Sequence, residues 1–518
     1  MYLDRESCYR ALLTRDARFD GVFFVAVQTT GIYCRPICPA QTPKLEHITF
    51  VPTAAAAQAA GFRPCLRCRP ETSPDLAAWH GTAATVSRAT SLIAAGALNE
   101  ASVDDLAGRL GIGERQLRRL FAQHIGASPH AVAQTRRVLF AKQLITDTTM
   151  PMAQVALAAG FGSLRRFNDT FVKLYGRPPR TMRRVRGAGA PASAITLTLP
   201  FKPPYDWAGI IGFLGARAIR GVESVQPDCY ARSIRLGGAQ GTIAVRMAER
   251  QNALVARIRF PVVTVLPAIV ARIRRIFDLG ADPVVIGAHL AEDPVMAPLV
   301  AARPGLRVPG AWDGFELAVR GILGQQITVS AATALAAKLV DLCGSALPPP
   351  DDPALATVTH TFPLPEDVAR VDALGLALGM PRARAAAITG LAKSAAAEPS
   401  LFEPGRGLNE AIRRLRDLPG VGEWTAHYIA MRALHEPDAF PAADIGLMRA
   451  MATADGRPTP AQLLVLANAW RPWRAYAALH LWASQSAAVR PPSPASGKED
   501  ATVSRTGSLA DRHHSAGL

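Results

Sequence analysis

Four cysteines near the start of the chain restrict its fold more than any other feature. Cys34 and Cys38 are separated by three residues and Cys65 and Cys68 by two, with 26 residues between the two pairs. Two turns of this size can place four thiolates tetrahedrally around one Zn²⁺. The spacing therefore predicts one zinc site with four cysteine ligands, and four unrelated cysteines are the alternative interpretation.

The other three cysteines, Cys8, Cys229 and Cys343, lie far from one another in the sequence. We interpret them as small hydrophobic residues. Seven cysteines, an odd number, do not form a disulfide framework, so a reduced, intracellular protein is expected.

The periodicity of apolar residues changes along the 518 residues and predicts a multidomain α+β protein that is mainly α-helical. Four stretches between residues 195 and 260 alternate apolar and polar residues, which predicts an antiparallel sheet. Turn-rich linkers are predicted at 72–81 and 187–194. The predicted parts are a zinc-binding domain at 1–72, a basic helical domain at 82–186, an α+β subdomain at 195–295, an all-α domain at 296–486 and a disordered tail at 487–518.

The positive charge of the chain is concentrated in its first third. Of the net +17, the first 190 residues contribute 25 basic and 13 acidic residues, and the remainder contributes 33 and 28. This excess favours a polyanionic partner, most simply DNA, over a membrane surface, because the sequence carries no signal peptide or membrane-spanning stretch. We therefore expect a cytoplasmic, nucleoid-associated protein.

Two similar stretches in the basic region each predict a helix, a glycine turn and a second helix. Residues 102–129 turn at Gly111, and residues 152–179 turn near Gly160. The segment AAGFGSLRRFNDTFVKLYGRPP and the paired arrangement resemble the double helix-turn-helix domain of the AraC family of regulators. The resemblance implies recognition helices that begin near Glu114 and Ser163 and contact bases and phosphates. The candidate contacts are Arg115, Gln116, Arg118, Arg119, Arg165, Arg166 and Asn168.

The strongest local motif is LPGVG within LRDLPGVGEWTAHYIA, residues 415–430. It predicts a helix-hairpin-helix, in which N–H groups at the start of the second helix bind a DNA phosphate. Asp444 follows Gly422 by 22 residues, in a turn that enters another helix. An aspartate at a helix start is ordinarily a cap, and a catalytic carboxylate is the alternative.

The letters around the cysteines, TTGIYCRPICPA and AAGFRPCLRCRP, resemble the zinc domain of Ada-type adaptive-response regulators. That resemblance implies that Cys34 accepts a methyl group from a DNA phosphotriester, with Cys38, Cys65 and Cys68 as the other zinc ligands. A purely structural zinc ion is the alternative. Methylation of one thiolate would reduce the negative charge of the site, so DNA affinity should rise after the transfer.

Residues 195–485 resemble AlkA-type 3-methyladenine DNA glycosylases in FKPPYDWAGIIGFLGARAIRGVESV, ARPGLRVPGAWDGFELAVRGILGQQ and WRPWRAYAALHLW. The resemblance implies that Asp444 is the catalytic carboxylate and that aromatic side chains bind the flipped base, although each would otherwise be a core residue. The implied base-binding residues are Phe213, Trp424, Tyr428 and Trp482. The implied DNA-backbone hairpin is Leu418, Pro419, Gly420, Val421 and Gly422, with a monovalent cation expected there.

Three positions have further consequences under this resemblance. Trp424 stands where bifunctional relatives carry a lysine, which implies a monofunctional enzyme. Gln326 occupies the position of an apolar wedge that fills the gap left by the flipped base. Ala443 and Ile445 replace a second acid and an aromatic residue beside Asp444, which should make the cleft more apolar.

The sequence is thus identified as a fusion of an Ada-type regulator with an AlkA-type glycosylase. We expect it to sense methylated phosphotriesters, activate promoters with RNA polymerase, and hydrolyse the N-glycosidic bond of alkylated purines as a monomer. Two alternatives remain: a methylation-sensing regulator whose glycosylase half only binds DNA, and a repair enzyme whose front half only tethers it to DNA.

Overall fold

The computed structural model describes residues 4–74, 84–183, 194–349, 352–403, 405, 407–454 and 456–488. Most of the two predicted linkers, and the predicted tail from residue 489 onward, lie outside these ranges. The predicted multidomain, mainly α architecture is confirmed. Within the described ranges, no helix has the length and apolar character needed to cross a membrane.

Residues 4–74 combine two helices with a small mixed sheet. The elements are α1 (Arg5–Leu13), β1 (Phe24–Val27), β2 (Ile32–Cys34), β3 (Ile48–Val51), α2 (Ala54–Ala59) and β4 (Arg63–Pro64). The strand order is β3-β1-β2-β4, and β4 runs parallel to β2. Because β2 ends at Cys34 and β4 ends just before Cys65, this pairing brings the two cysteine pairs together.

Residues 84–183 form two helix-turn-helix units joined by one long helix. The elements are α3 (Ala84–Ala94), α4 (Val103–Arg109), α5 (Glu114–Ile125), α6 (Pro129–Asp147), α7 (Met152–Ala158) and α8 (Leu164–Tyr175). The recognition helices α5 and α8 begin where the sequence predicts, after Gly113 and the N-cap Ser163. Each buries one apolar stripe and leaves its opposite face exposed.

The next part contains a five-stranded antiparallel sheet of order β5-β9-β8-β7-β6. The elements are β5 (Ile195–Pro200), α9 (Trp207–Gly215), β6 (Glu223–Gln226), β7 (Cys229–Leu236), β8 (Ala239–Met247) and β9 (Ala253–Arg259). Four of these strands agree with the predicted meander. Strand β6 was not predicted, because its buried Glu223 interrupts the apolar pattern.

The remaining described residues are mainly helical. The elements are α10 (Leu266–Ile276), α11 (Pro283–Leu290), α12 (Met296–Ala302), α13 (Gly314–Leu323), α14 (Val329–Cys343), β10 (Ser345–Ala346), β11 (His360–Thr361), α15 (Pro365–Ala369), α16 (Leu374–Leu378), α17 (Arg382–Ala397), α18 (Leu408–Arg416), α19 (Glu423–Arg432), α20 (Ile445–Ala450), α21 (Pro460–Leu466) and α22 (Arg474–Ala488). A large apolar core joins α13, α17, α19 and α22.

The domains also pack against one another. Apolar side chains of α6, α7 and α8 belong to the same core cluster as those of the five-stranded sheet. The side chain of Gln143 on α6 donates a hydrogen bond to the carbonyl of Thr198 on β5 (2.7 Å). The second helix-turn-helix unit therefore shares a core with the sheet subdomain, whereas the first unit packs in a separate cluster that includes Ala55 of α2.

Candidate functional site

The four cysteines of the predicted zinc site converge at the end of the small sheet. Their sulfur atoms all lie within 4.8 Å of one another. Four sulfur donors at this separation match the tetrahedral set that Zn²⁺ prefers. Cys38, Cys65 and Cys68 are buried, whereas Cys34 is partly exposed, so Cys34 is the most exposed residue of the four.

The backbone around the cysteines donates hydrogen bonds to their sulfur atoms. The N–H of Arg35 donates to Sγ of Cys68 (3.3 Å), and the N–H of Arg67 donates to Sγ of Cys65 (3.4 Å). These N–H donors stabilise negative charge on the sulfur atoms of Cys68 and Cys65, and a thiolate is the form that binds a metal.

The side chain of Arg35 fastens the loop that carries Cys34 to the rest of the domain. Its guanidinium forms a buried ion pair with Asp20 and donates to Oγ1 of Thr72 (2.7 Å) and to the carbonyl of Cys68 (3.1 Å). Because Arg35 is adjacent to Cys34 and bonds to the backbone of Cys68, its side chain links the two cysteine pairs.

The predicted helix-turn-helix contacts lie on the outer faces of the two recognition helices. Arg115, Gln116, Arg118 and Arg119 are exposed on α5. On α8, Arg165 and Arg166 are exposed and Asn168 is partly exposed. Arg118 pairs with Glu114 one turn earlier (2.5 Å), an exposed bond that a phosphate can replace at small cost.

Asp444 caps α20, and its carboxylate is held by groups from three elements. Oδ1 accepts hydrogen bonds from the N–H of Leu447 (2.9 Å) and from Nε1 of Trp482 (2.9 Å), and Oδ2 accepts one from Nε1 of Trp424 (2.8 Å). The sequence left two interpretations of Asp444, a helix cap and a catalytic carboxylate, and the geometry is compatible with both. One oxygen caps the helix, and two indole groups orient the carboxylate, which is partly exposed.

Aromatic and cationic side chains of α19 extend away from Asp444. Trp424 stacks on Tyr428 (centroids 5.2 Å apart, 9° between planes), and Arg432 donates a hydrogen bond to the Tyr428 hydroxyl (2.5 Å). The three residues follow one another at four-residue spacing, so they lie on one face of α19. Burial alone would raise the pKa of the Tyr428 hydroxyl, but Arg432 and Arg217 overcome this and lower it.

Phe213 reaches this cleft from α9 in the sheet subdomain. It packs against the core of the helical domain and carries two guanidinium groups over its ring, Arg217 at 3.8 Å and Arg432 at 4.8 Å. The four predicted base-binding residues, Phe213, Trp424, Tyr428 and Trp482, are therefore neighbours of one cleft and are each partly exposed. Ala443 and Ile445 are both exposed beside Asp444.

A buried ion network joins the sheet subdomain to the floor of the cleft. Arg320 on α13 pairs with Glu223 (2.5 Å) and Glu316 (2.6 Å), and Arg232 on β7 pairs with Glu316 (2.7 Å). Burial by itself would raise the pKa of Glu223, but Arg320 and Arg232 overcome this and lower it to about 2. Arg320 also donates to the carbonyl of Arg217 (2.6 Å), which connects the network to the turn that follows α9.

The hairpin, residues 418–422, connects α18 to α19. Leu418 and Val421 are buried anchors, and Pro419, Gly420 and Gly422 are exposed. Gly420 has a φ of +74°, and a Cβ there would lie 2.4 Å from Cβ of Ala387 on α17. Glycine is therefore required at this position. Gln326 is exposed in the adjacent wedge turn (residues 323–327) with a φ of +60°.

Sequence reasoning missed the arginines of the cleft. Arg217 follows Phe213 by four residues, and Arg432 follows Tyr428 by four. Tyr428 and Arg432 share one face of α19, so their spacing was an available signal, whereas Arg217 lies in the turn after α9. The partners of Glu223, by contrast, lie on other elements, Arg232 on β7 and Arg320 on α13.

Comparison with known protein families assigns a model to most of the chain. The metal binding domain of Ada matches residues 7–71, a helix-turn-helix domain 106–185, the AlkA N-terminal domain 196–313, and the HhH-GPD superfamily of base excision DNA repair proteins 319–475. A probable bifunctional transcriptional activator/DNA repair enzyme AlkA from Mycobacterium tuberculosis is 42% identical over 489 residues, which is 93% of this chain and 97% of the relative. The chain belongs to this bifunctional AlkA family. The predicted resemblance to a fused regulator and repair enzyme is thereby confirmed.

Other known proteins are similar to only about half of this chain. The DNA-3-methyladenine glycosylase 2 of Escherichia coli is 38% identical over 288 residues, covering 55% of this chain and 96% of the relative. The solved 3-methyladenine DNA-glycosylase from Archaeoglobus fulgidus has a TM-score of 0.50 at 22% identity, covering 56% of this chain and 98% of its own. The latter likeness concerns the fold.

Proposed function

We propose that this bifunctional AlkA relative excises alkylated purines from DNA through Asp444. The observation that carries the proposal is the carboxylate of Asp444, oriented by two indole N–H groups in an aromatic cleft beside the hairpin. The expected substrates are 3-methyladenine-type bases, which carry positive charge on the purine. Aromatic faces bind cationic bases, and the four cleft residues supply such faces.

The proposed reaction is hydrolysis of the bond between the base and C1′ of the sugar. As this bond breaks, Asp444 stabilises the positive charge on the sugar and accepts a proton from the attacking water, which adds to C1′. The products are the free base and an abasic site. Trp424 is not a nucleophilic amine, so strand cleavage through a Schiff base is not part of the proposal.

The hairpin is proposed to bind the DNA backbone. The first N–H groups of α19 follow Gly422 and suit a phosphate oxygen. Carbonyl groups of residues 418–422 would hold the expected monovalent cation against the same phosphate. Gln326 would enter the duplex where the base has left.

The zinc domain is proposed to transfer a methyl group from a DNA phosphotriester to Cys34. Bound Zn²⁺ would keep the four cysteines deprotonated at neutral pH. The Cys34 sulfur then forms the new S–C bond, and the C–O bond of the ester breaks to leave a phosphodiester anion. The greater exposure of Cys34 among the four ligands supports this choice.

Promoter binding is proposed for the outer faces of α5 and α8, with RNA polymerase as partner and the protein acting as a monomer.

The same proposal divides the chain into four functional parts, at 1–72, 82–186, 195–295 and 296–486. A regulator whose glycosylase half only binds DNA is the competing function, and it requires no particular residue at position 444.

The test measures free bases released from methylated duplex DNA by the full chain. Asp444→Asn should retain the helix cap and DNA binding but lose base release by roughly a thousandfold or more. Asp372→Asn, the same change at an exposed position, is the matched control and should act as the unmodified protein. Release that does not depend on Asp444 would contradict the role of this carboxylate, whereas no release by a folded protein would support the regulator alone.

A further inference from the structure

The side chain of Gln325 connects the wedge turn to the hairpin. Its Nε2 donates hydrogen bonds to the carbonyl of Gly420 (2.9 Å) and to Oγ1 of Thr425 (3.2 Å). Its own backbone carbonyl accepts a hydrogen bond from Arg384 on α17 (2.6 Å). Gln325 is therefore held at both its backbone and its side-chain end.

Helix α17 supports the same hairpin from behind. Gly420 approaches Ala387 so closely that a Cβ would come within 2.4 Å, and a Cβ on Gly390 would lie 3.0 Å from Cγ of Pro419. Since Arg384 on this helix also binds the wedge turn, three segments are joined: α17, the hairpin and the wedge turn. Gln325 makes the direct link between the last two.

Gln326, the next residue, is left exposed at the tip of this assembly in a left-handed backbone conformation. Such a conformation is unfavourable for a residue with a side chain and persists where neighbouring bonds fix it. The bonds to Gln325 are adjacent to it along the chain. These bonds of Gln325 therefore hold the wedge turn, and with it Gln326, in a fixed position relative to the N-terminal end of α19.

We infer that Gln325 is a positioning residue that couples phosphate binding by the hairpin to displacement of the base by Gln326. This rests on the proposed glycosylase function and specifies how its duplex substrate is opened. With the link intact, a duplex gripped by the hairpin meets Gln326 at the position of the lesion. Without it, the hairpin still binds DNA, but the wedge turn is free to shift, so a paired base leaves the stack less often.

The test measures excision by Gln325→Met and by the unmodified protein on two substrates. The variant keeps the size of the side chain but removes both of its hydrogen bonds. One substrate carries 7-methylguanine paired within a duplex, and the other carries it as an unpaired single-nucleotide bulge. The single-turnover excision rate should fall about tenfold on the duplex and stay within about twofold of the unmodified protein on the bulge. Affinity for duplex containing an abasic site should change little, because the hairpin is intact.

Two further variants complete the design. Gln251→Met, the same change in an exposed loop of the sheet subdomain, should leave both rates unchanged. Thr425→Val removes one of the two acceptors, so a loss of about threefold on the duplex alone is expected even if Gln325→Met does not fold. An equal loss on both substrates, or no loss on the duplex, overturns the inference. Absence of excision by the unmodified protein on both substrates would instead contradict the glycosylase itself.

Discussion

At the scale of single residues, the cleft depends on how one carboxylate is held. Asp444 could satisfy a helix cap with one oxygen and leave the other in water, but both oxygens accept hydrogen bonds from indole groups. Gly446 makes room for this arrangement, since a Cβ there would lie 2.9 Å from Oδ1 of Asp444 and 3.3 Å from the Trp482 ring. The carboxylate is therefore oriented before any substrate binds.

Replacing Trp482 by phenylalanine tests this orientation. The variant keeps an aromatic face but loses the N–H that donates to Oδ1 of Asp444, a hydrogen bond to a charged acceptor. Such a bond is worth about 1.5–3 kcal/mol, so single-turnover excision should fall by about tenfold or more. Trp207→Phe, outside the cleft, is the control, and an unchanged rate for Trp482→Phe would show that the indole does not orient the carboxylate.

At the scale of secondary-structure elements, sequence patterns predicted the pieces whose signals are local. Caps and glycine turns placed α5 and α8, and alternation placed β5, β7, β8 and β9. Strand β6 was not predicted, because the charged Glu223 occupies a buried position where the pattern requires an apolar residue. Arg320 and Arg232 on other elements stabilise its charge, and the pattern of a single segment does not indicate such partners.

The ion network at β6 predicts a specific dependence of stability on pH. Glu223 has an ordinary pKa of 4.5 that folding lowers to about 2. A lowered pKa stabilises the fold above the unfolded-state value, and this contribution is lost as the pH falls from 4.5 towards 2. Glu223→Gln should therefore lower the free energy of unfolding by about 3 kcal/mol at pH 7.

Urea unfolding of the two proteins, followed by tryptophan fluorescence, measures this difference. It should shrink as the pH is lowered below 4.5, because the unmodified Glu223 becomes protonated as well. A difference that is constant from pH 7 to pH 3 would mean that the charge of Glu223 does not contribute.

At the scale of the whole molecule, charged side chains join domains that the sequence presents as separate. Lys142 on α6 forms an ion pair with Glu71 of the zinc domain (2.8 Å), and both side chains are almost fully buried. Arg69 adds bonds to Glu71 (3.0 Å) and to Asp147 at the end of α6 (2.8 Å). Because lysine and glutamate are ordinarily exposed, nothing in their sequence positions indicates this interface.

A double-mutant cycle at this ion pair tests whether it holds the zinc domain to α6. Lys142→Met leaves Glu71 buried with fewer partners and should lower stability by about 3 kcal/mol. Adding Glu71→Gln should recover part of that loss, with a coupling energy of about 1 kcal/mol or more. Thermal unfolding and hydrogen exchange of residues 63–74 report the effect, and strict additivity of the two changes would contradict the role of the pair.

One measurement tests the central claim, that a single chain combines two separate repair reactions. The full chain, Asp444→Asn and Cys34→Ser are each incubated with methylated duplex DNA, and mass spectrometry quantifies free methylated bases and methyl groups on Cys34. The account predicts that the full chain gives both products, that Asp444→Asn keeps only the methylated cysteine, and that Cys34→Ser keeps only base release. Base release that persists in Asp444→Asn, or the absence of either product from the full chain, would contradict it.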